Sequence, residues 1–210
     1  MAGSLKGLIV LLFLSSCLTI ANLAEAKNAL TIKDMAGRQV LIPKRVQRIV
    51  ALSSTLRFIV YLKEIDKVVG IEASEKKEIN NPARPYLAAL RGKVDRIPAV
   101  GEGGSGRLPD FEKLISVAPD VVLTTNLDPA QSDIIQQRTN IPVVVLNYGG
   151  IGILEIDTIY SSLLLLGKIL KADKRAQELK EFIDKTLQDL KKRTENIPQN
   201  MKPSVYIGAV

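Results

Sequence analysis

The sequence predicts an α/β chain: a layered lobe built on a parallel sheet, opened by a hairpin and followed by a long helix. Three observations point there. Four β-rich runs, "RIVAL" (48–52), "KVVGI" (67–71), "DVVLTT" (120–125) and "PVVVL" (142–146), alternate with helical stretches, the order in which crossovers join parallel strands. The centres "VVL" and "VVVL" are wholly apolar, as strands covered on both faces require. Two long helical segments then follow with no strand between them.

The elements can be justified in order. "LTIKDMAGRQVLIP" reads as two short strands around a turn at 34–37, where Gly37 supplies a permissive backbone. "RIVAL" leads into a short helix, "STLRFIVYLK", and then into "KVVGI". In "NNPARPYLAALRG", Pro82 and Pro85 suit helix starts. "RIPAV" is a short, proline-containing strand at best. "PDFEKLISV" reads as a helix beginning at Asp110, and "PAQSDIIQQRT" as another between the last two strands. "LEIDTIYSSLLLLGKIL" is apolar over much of its circumference and should pack on the sheet. From Asp173 to about Glu195, Ala176, Leu179, Ile183, Leu187 and Leu190 recur at helical spacing on a highly charged rod. "SVYIGAV" is β-rich with no further sheet to join, and is expected to be the first strand of a second lobe.

The first residues read as an address. Lys6 precedes an apolar run from Leu8 to about Ile20, and Ala24-x-Ala26 forms a small-residue cleavage site before Lys27. The run is too short for a comfortable membrane span, so export is expected. Two processing routes stand: cleavage after Ala26 to give a soluble chain, or lipidation of Cys17, whose "LSSC" context resembles a lipoprotein box. The mature chain carries no disulfide either way.

Composition excludes several functions. Histidine is absent from all 210 residues, which removes Ser-His-Asp and Cys-His catalysis and His-ligated metal sites. The net charge of +7 raises the question of nucleic acid, but the basic residues are scattered and interleaved with acids in "DKRAQELKEFIDKTLQDLKKR", which reads as a solvated helix face. With no Trp a base-stacking platform is poorly supplied, so no nucleic-acid partner is expected. No cofactor is expected, and the chain is expected to be monomeric.

"GEGGSGRLPDFEKL" (101–114) contains G-x-G-x-x-G at Gly101, Gly103 and Gly106. A dinucleotide loop needs a strand running into the first glycine and a helix starting inside the motif. Here Arg107, Leu108 and Pro109 separate Gly106 from the helix. A surface loop and a mobile wall of a ligand cleft are the remaining readings. Ligands of open parallel sheets gather beyond the carboxyl ends of the strands. Ser53–Thr55, Glu72–Ala73, Gly101–Arg107, Asn126–Asp128 and Asn147–Gly150 should share that rim.

"TIKDMAGRQVLIPKRVQRIVALSSTLRFIVYLKEIDKVVGIE", "LPDFEKLISVAPDVVLTT", "IPVVVLNYGGIG" and "SLLLLGKILKADKRAQELKEFIDKTLQDL", in that order, resemble the solute-binding proteins of iron-complex and cobalamin ABC importers. The resemblance covers nearly the whole mature chain. It implies two α/β lobes joined by one rigid helix, with the ligand held between them. Residues 1–26 would be the signal peptide, 27–172 the first lobe, 173–197 the joining helix, and 203–210 the first strand of a second lobe that this chain does not contain.

The same likeness implies the site. Ser53, Ser54 and Thr55 would face the cleft and favour an anion. Arg57 would pair with oxygen donors of a metal chelate, or else be a surface arginine with a nearby carboxylate. Tyr86 and Tyr148 would offer flat contacts, or else be packing tyrosines. Gly103, Arg107 and Asn126 complete the rim. Glu112 would dock on arginines of the membrane permease, its plain alternative being an early-turn glutamate favoured by the helix dipole. The implied ligand is an iron chelate or a corrinoid-type molecule. Alternatives of another class are an exported enzyme without histidine chemistry and an inactive, truncated gene product.

Overall fold

The structure, a computed structural model, describes residues 29–104, 106–125, 127–150 and 155–205. The expected signal region with Cys17, Asn126 in the candidate rim, and most of "SVYIGAV" lie outside the described residues.

Strands β1 (Ala29–Lys33) and β2 (Gln39–Pro43) form the antiparallel hairpin, with Leu30 opposite Ile42 and Ile32 opposite Val40. Alternation sends Ile32, Val40 and Ile42 into the core and leaves Leu41 outside. The turn works because Gly37 takes φ +82° and because Asp34 gathers donors. Its Oδ1 accepts from the main chain of Ala36 and Arg38, and its Oδ2 from the Arg38 guanidinium and the Val145 amide. That last bond, with Met35 N–H donating to the Val145 carbonyl at 2.9 Å, fastens the hairpin to the edge of the main sheet and covers an otherwise open strand edge.

The main sheet contains β3 (Ile49–Ala51), β4 (Val68–Ile71), β5 (Val121–Thr124) and β6 (Val143–Val145), ordered β4-β3-β5-β6 and all parallel. "RIPAV" contributes one parallel bridge, Ala99 to Ile71, rather than a strand. Period-two alternation splits the strands between two apolar layers. Ile49, Ala51, Val121, Leu123 and Val144 face α1 (Leu56–Tyr61), α3 (Pro85–Ala88), α6 (Ile156–Leu170) and the hairpin. Val50, Leu52, Val122 and Val143 face α4 (Phe111–Ser116) and α5 (Pro129–Thr139) through Leu114 and Ile135. The strand residues are almost fully buried, each worth about 1.5–3 kcal/mol for a Val, Leu or Ile. This is why the runs carry no polar face. A short helix, α2 (Ala73–Lys77), follows β4. Of the two prolines expected to start helices, only Pro85 heads one, at the first position of α3.

Helix α6 packs on the sheet through Leu163, Leu166, Ile169 and Leu170 and ends at Lys171 in a left-handed conformation. Helix α7 (Asp173–Thr194) turns back against it. A Cβ on Gly167 would lie 2.7 Å from the Ala176 Cβ, so the two small residues set how closely the helices approach. Ala176 is buried, and Leu179 and Ile183 pack partly against the core. Among the described residues the last tie to the body is Tyr160, whose hydroxyl donates to Asp184 at 2.6 Å. Beyond it the stripe continues uncovered: Leu187 and Leu190 are 41% and 47% exposed. The helix is 22 residues long, about 33 Å, and its second half stands clear of the sheet it starts on.

Candidate functional site

Because all four strands run the same way, their carboxyl ends open on one edge, and the loop after Ala99 joins them there. The rim is cross-tied. Ala73 N–H donates to the Gly101 carbonyl at 2.8 Å and Ser74 N–H to that of Glu102 at 3.1 Å. The Thr125 hydroxyl donates to the Ser53 carbonyl, and the Gln131 amide to the Gly106 carbonyl.

At the end of β3, Ser53 and Ser54 both adopt positive φ, +52° and +64°, before Thr55 returns to a right-handed conformation. Such a turn converges main-chain N–H groups, and holding two non-glycine residues there costs about 1–3 kcal/mol each. The β3–β4 register pairs Ala51 with Ile71 and so sets Glu72 level with Leu52, at the end of the neighbouring strand. Ser54 is half-buried, whereas Thr55 is fully buried and its hydroxyl has no hydrogen-bond partner among the described residues. Thr55 therefore sits behind the rim rather than on it.

Glu72 is 5% exposed. Burial pushes its carboxyl above the ordinary range; the Ser53 amide opposes the shift, the Glu75 charge adds to it and Arg84 opposes it. Gly103 roofs this group. A Cβ there would come within 2.8 Å of the Glu72 Cβ and 2.5 Å of the Ser74 Oγ, and the φ of +83° disfavours a side chain in any case. The glycine allows close approach, but to the protein's own glutamate.

Behind the turn lies a second carboxylate. Glu75, 1% exposed, accepts the Tyr86 hydroxyl at 2.8 Å and lies 3.4 Å from the Arg84 guanidinium. Burial raises its carboxyl, against the Tyr86 bond and the Arg84 and Arg57 charges. Burial first, then the Glu75 charge, raises the Tyr86 phenol as well. Tyr86 is buried, so its ring is a wall behind Arg57 and presents no open face to a ligand. The Arg57 guanidinium lies 5.6 Å from that ring.

Arg57 is the unfilled position. Its Nε is buried without a partner, and among the described residues no ion pair or side-chain hydrogen bond satisfies its guanidinium. It borders a recess of about 210 Å³ whose walls include Phe58, Tyr148, Ile159, Leu179 and Ile183. Tyr148 is half-buried there. Its position is fixed by Asn147, whose Oδ1 accepts from the Tyr148 and Gly149 amides and whose backbone exchanges hydrogen bonds with the Ser162 hydroxyl.

The glycine loop has no helix inside it. Asp110 caps α4 by accepting from Lys113 N–H at 3.1 Å, and α4 starts at Phe111, beyond Gly106. Arg107 is exposed on a broad, shallow depression with Gly101 and Lys113, apart from the Arg57 recess. Glu112 is exposed in the first turn of α4 and makes no ion pair among the described residues. Sequence reasoning placed Glu72 on the rim by its position after a strand but did not foresee its burial, and it missed Glu75, which the structure buries beside Tyr86.

Comparison with known proteins places this geometry. The family described as periplasmic binding protein matches residues 49–209. The ABC transporter substrate-binding lipoprotein YvrC of Bacillus subtilis is 26% identical over 179 residues, 84% of this chain and 51% of the relative. The molybdate-binding protein MolA of Haemophilus influenzae is 32% identical over 146 residues, 68% of this chain and 38% of MolA. The structure of MolA bound to molybdate aligns with TM-score 0.68 and 22% identity over 82% of this chain and 56% of that one. The petrobactin-binding protein YclQ of Bacillus subtilis aligns with TM-score 0.60 and 21% identity, over 80% of this chain and 54% of YclQ. The chain thus spans about half the length or less of the curated relatives it matches. It shares their fold over the aligned part, and it belongs to the periplasmic binding protein family.

Proposed function

We propose that the chain is the ligand-binding part of an ABC importer's substrate-binding component, capturing an iron complex, a ferric siderophore or similar chelate, outside the cytoplasmic membrane and delivering it to the permease. The observation that carries this reading is Arg57, an arginine without a hydrogen-bonding partner at the mouth of an apolar recess. A guanidinium left so demands an oxygen-rich partner, and the ring of Tyr148 and the aliphatic walls suit the organic shell of a chelate. Ser54 and Tyr148 complete the contact surface in this reading, and Tyr86 acts only by backing Arg57. Residues 27–172 form one lobe, 173–197 the strut, and 203–210 begin the partner lobe. Glu112 docks the loaded protein on the permease.

The test is tyrosine fluorescence, since the chain has five tyrosines and no tryptophan. A ferric trihydroxamate should quench it saturably, and Arg57→Ala should weaken binding roughly tenfold or more, the worth of one charge-assisted contact. Equal affinity in the variant would remove Arg57 from the site. Glu112→Arg should leave this binding unchanged while abolishing uptake in cells; unimpaired uptake would remove the docking role.

A further inference from the structure

We propose that Arg84 is a positioning residue for ligand capture: by taking up the ion-pairing capacity of Glu75 and Glu78, it keeps the Arg57 guanidinium unpaired and free to meet the ligand. This rests on the reading that Arg57 binds the ligand's oxygens. Two arginines share Tyr86. The Arg57 guanidinium lies over its ring, 5.6 Å from the centroid, and Arg84 Nη1 lies 3.4 Å from its hydroxyl. That hydroxyl donates to Glu75 at 2.8 Å, so the ring under Arg57 ends on a buried carboxylate. A buried carboxylate needs a cation close by, because leaving it uncompensated is costly. Arg84 supplies one: its Nη1 is 3.4 Å from Glu75 Oε2, and its Nε is 2.7 Å from Glu78 Oε2. Its place is fixed from two sides. The Asn81 amide donates to Glu78 at 3.1 Å, and the Arg84 main-chain N–H donates to the Asn81 carbonyl at 3.0 Å, while Pro85 at the head of α3 keeps Arg84 out of the helix. One planar fork thus serves two carboxylates, a task to which arginine is suited. Arg57 is a second cation whose charge reaches Glu75, yet among the described residues it forms no ion pair, and its Nε is buried without a hydrogen-bond partner beside the apolar recess. Take the Arg84 guanidinium away, and Arg57 becomes the group that turns from the recess toward Glu75, its donors withdrawn from the ligand.

Two measurements on the full chain test this. The first needs no ligand: nitrogen-15 NMR of the guanidinium groups, in which pairing with a carboxylate slows rotation and separates the Nη signals. The Arg57 signals, identified by their loss in Arg57→Ala, should be averaged in wild type and separated in Arg84→Ala. Signals alike in the two proteins overturn the proposal. The second is fluorescence titration with a ferric trihydroxamate. Arg84→Ala should weaken binding roughly tenfold, as Arg57→Ala does, because the same charge-assisted contact is lost. Adding Glu75→Gln to Arg84→Ala removes the competing charge and should restore most of the affinity, a rescue that a merely structural role for Arg84 does not give. Should Arg84→Ala fail to fold, Arg84→Gln, which keeps a hydrogen-bond donor, carries both measurements. Full affinity without Arg84, or a loss that Glu75→Gln leaves unrepaired, overturns the proposal. The chelate reading fails separately: wild type that binds no chelate, or Arg57→Ala that binds it as wild type does, sinks that reading, while the guanidinium signals still decide whether Arg84 holds Arg57 unpaired.

Discussion

Glu72 and Glu75 stand one helical turn apart behind the rim, and their burial has a consequence for stability. Both carboxyls are raised above their unfolded values, chiefly by burial. Just above the ordinary carboxylate range the folded chain therefore holds more protons than the unfolded one. The contribution is full below the unfolded pKa and is lost as pH rises through the folded pKa. Urea midpoints should accordingly fall as pH rises through that window, and Glu75→Gln, which still accepts the Tyr86 hydroxyl, should flatten the slope. An unchanged slope in the variant would mean that Glu75 does not titrate as its surroundings imply. None of this was legible in "GIEASEKKE", because burial of a charged residue depends on what the fold lays over it. The cover here is Gly103, from a loop some thirty residues on. Both were placed on one rim from sequence, but not that the glycine closes over the glutamate.

At the scale of elements, the contact between α6 and α7 decides how the long helix leaves the body. Gly167 faces Ala176 so closely that even one methyl group would collide. Gly167→Leu should therefore lever the start of α7 outward and cost about 1–3 kcal/mol, the usual penalty for overpacking, read as a lower melting temperature. An unchanged melting temperature would show that the helices are not in this register. The strands and this helix pair were readable beforehand because their signals are local: apolar runs too short for helices, and apolar spacing of three and four. "RIPAV" and Pro82 were less so. A strand needs a neighbour for its hydrogen bonds, and Ala99 meets Ile71 at one bridge only, while the helix start went to Pro85, the proline after the Asn81 turn.

For the whole molecule, parallel strands put five loops on one edge, and that much followed from alternation alone. Which residues on those loops face outward did not. Thr55 and Tyr86, both candidates by position, are buried by the crossover packing of α1 and α3. Ser54, Arg57 and Tyr148 remain open to the edge. Arg107 lies on a separate depression, so the edge is divided, and among the described residues the side near α7 offers an apolar recess bordered by a cation without a hydrogen-bond partner. Leu187 and Leu190 on the outer half of α7 are exposed, so that half of the helix presents an apolar stripe uncovered by the described residues.

Amide hydrogen exchange with and without a ferric trihydroxamate tests the central claim, that this edge receives the ligand, most directly. Protection gained at 52–57 and 146–150, with the hairpin and the opposite ends of the strands unchanged, is the result expected. Protection confined to the α4–α5 face or the hairpin, or none at saturating chelate, would contradict it.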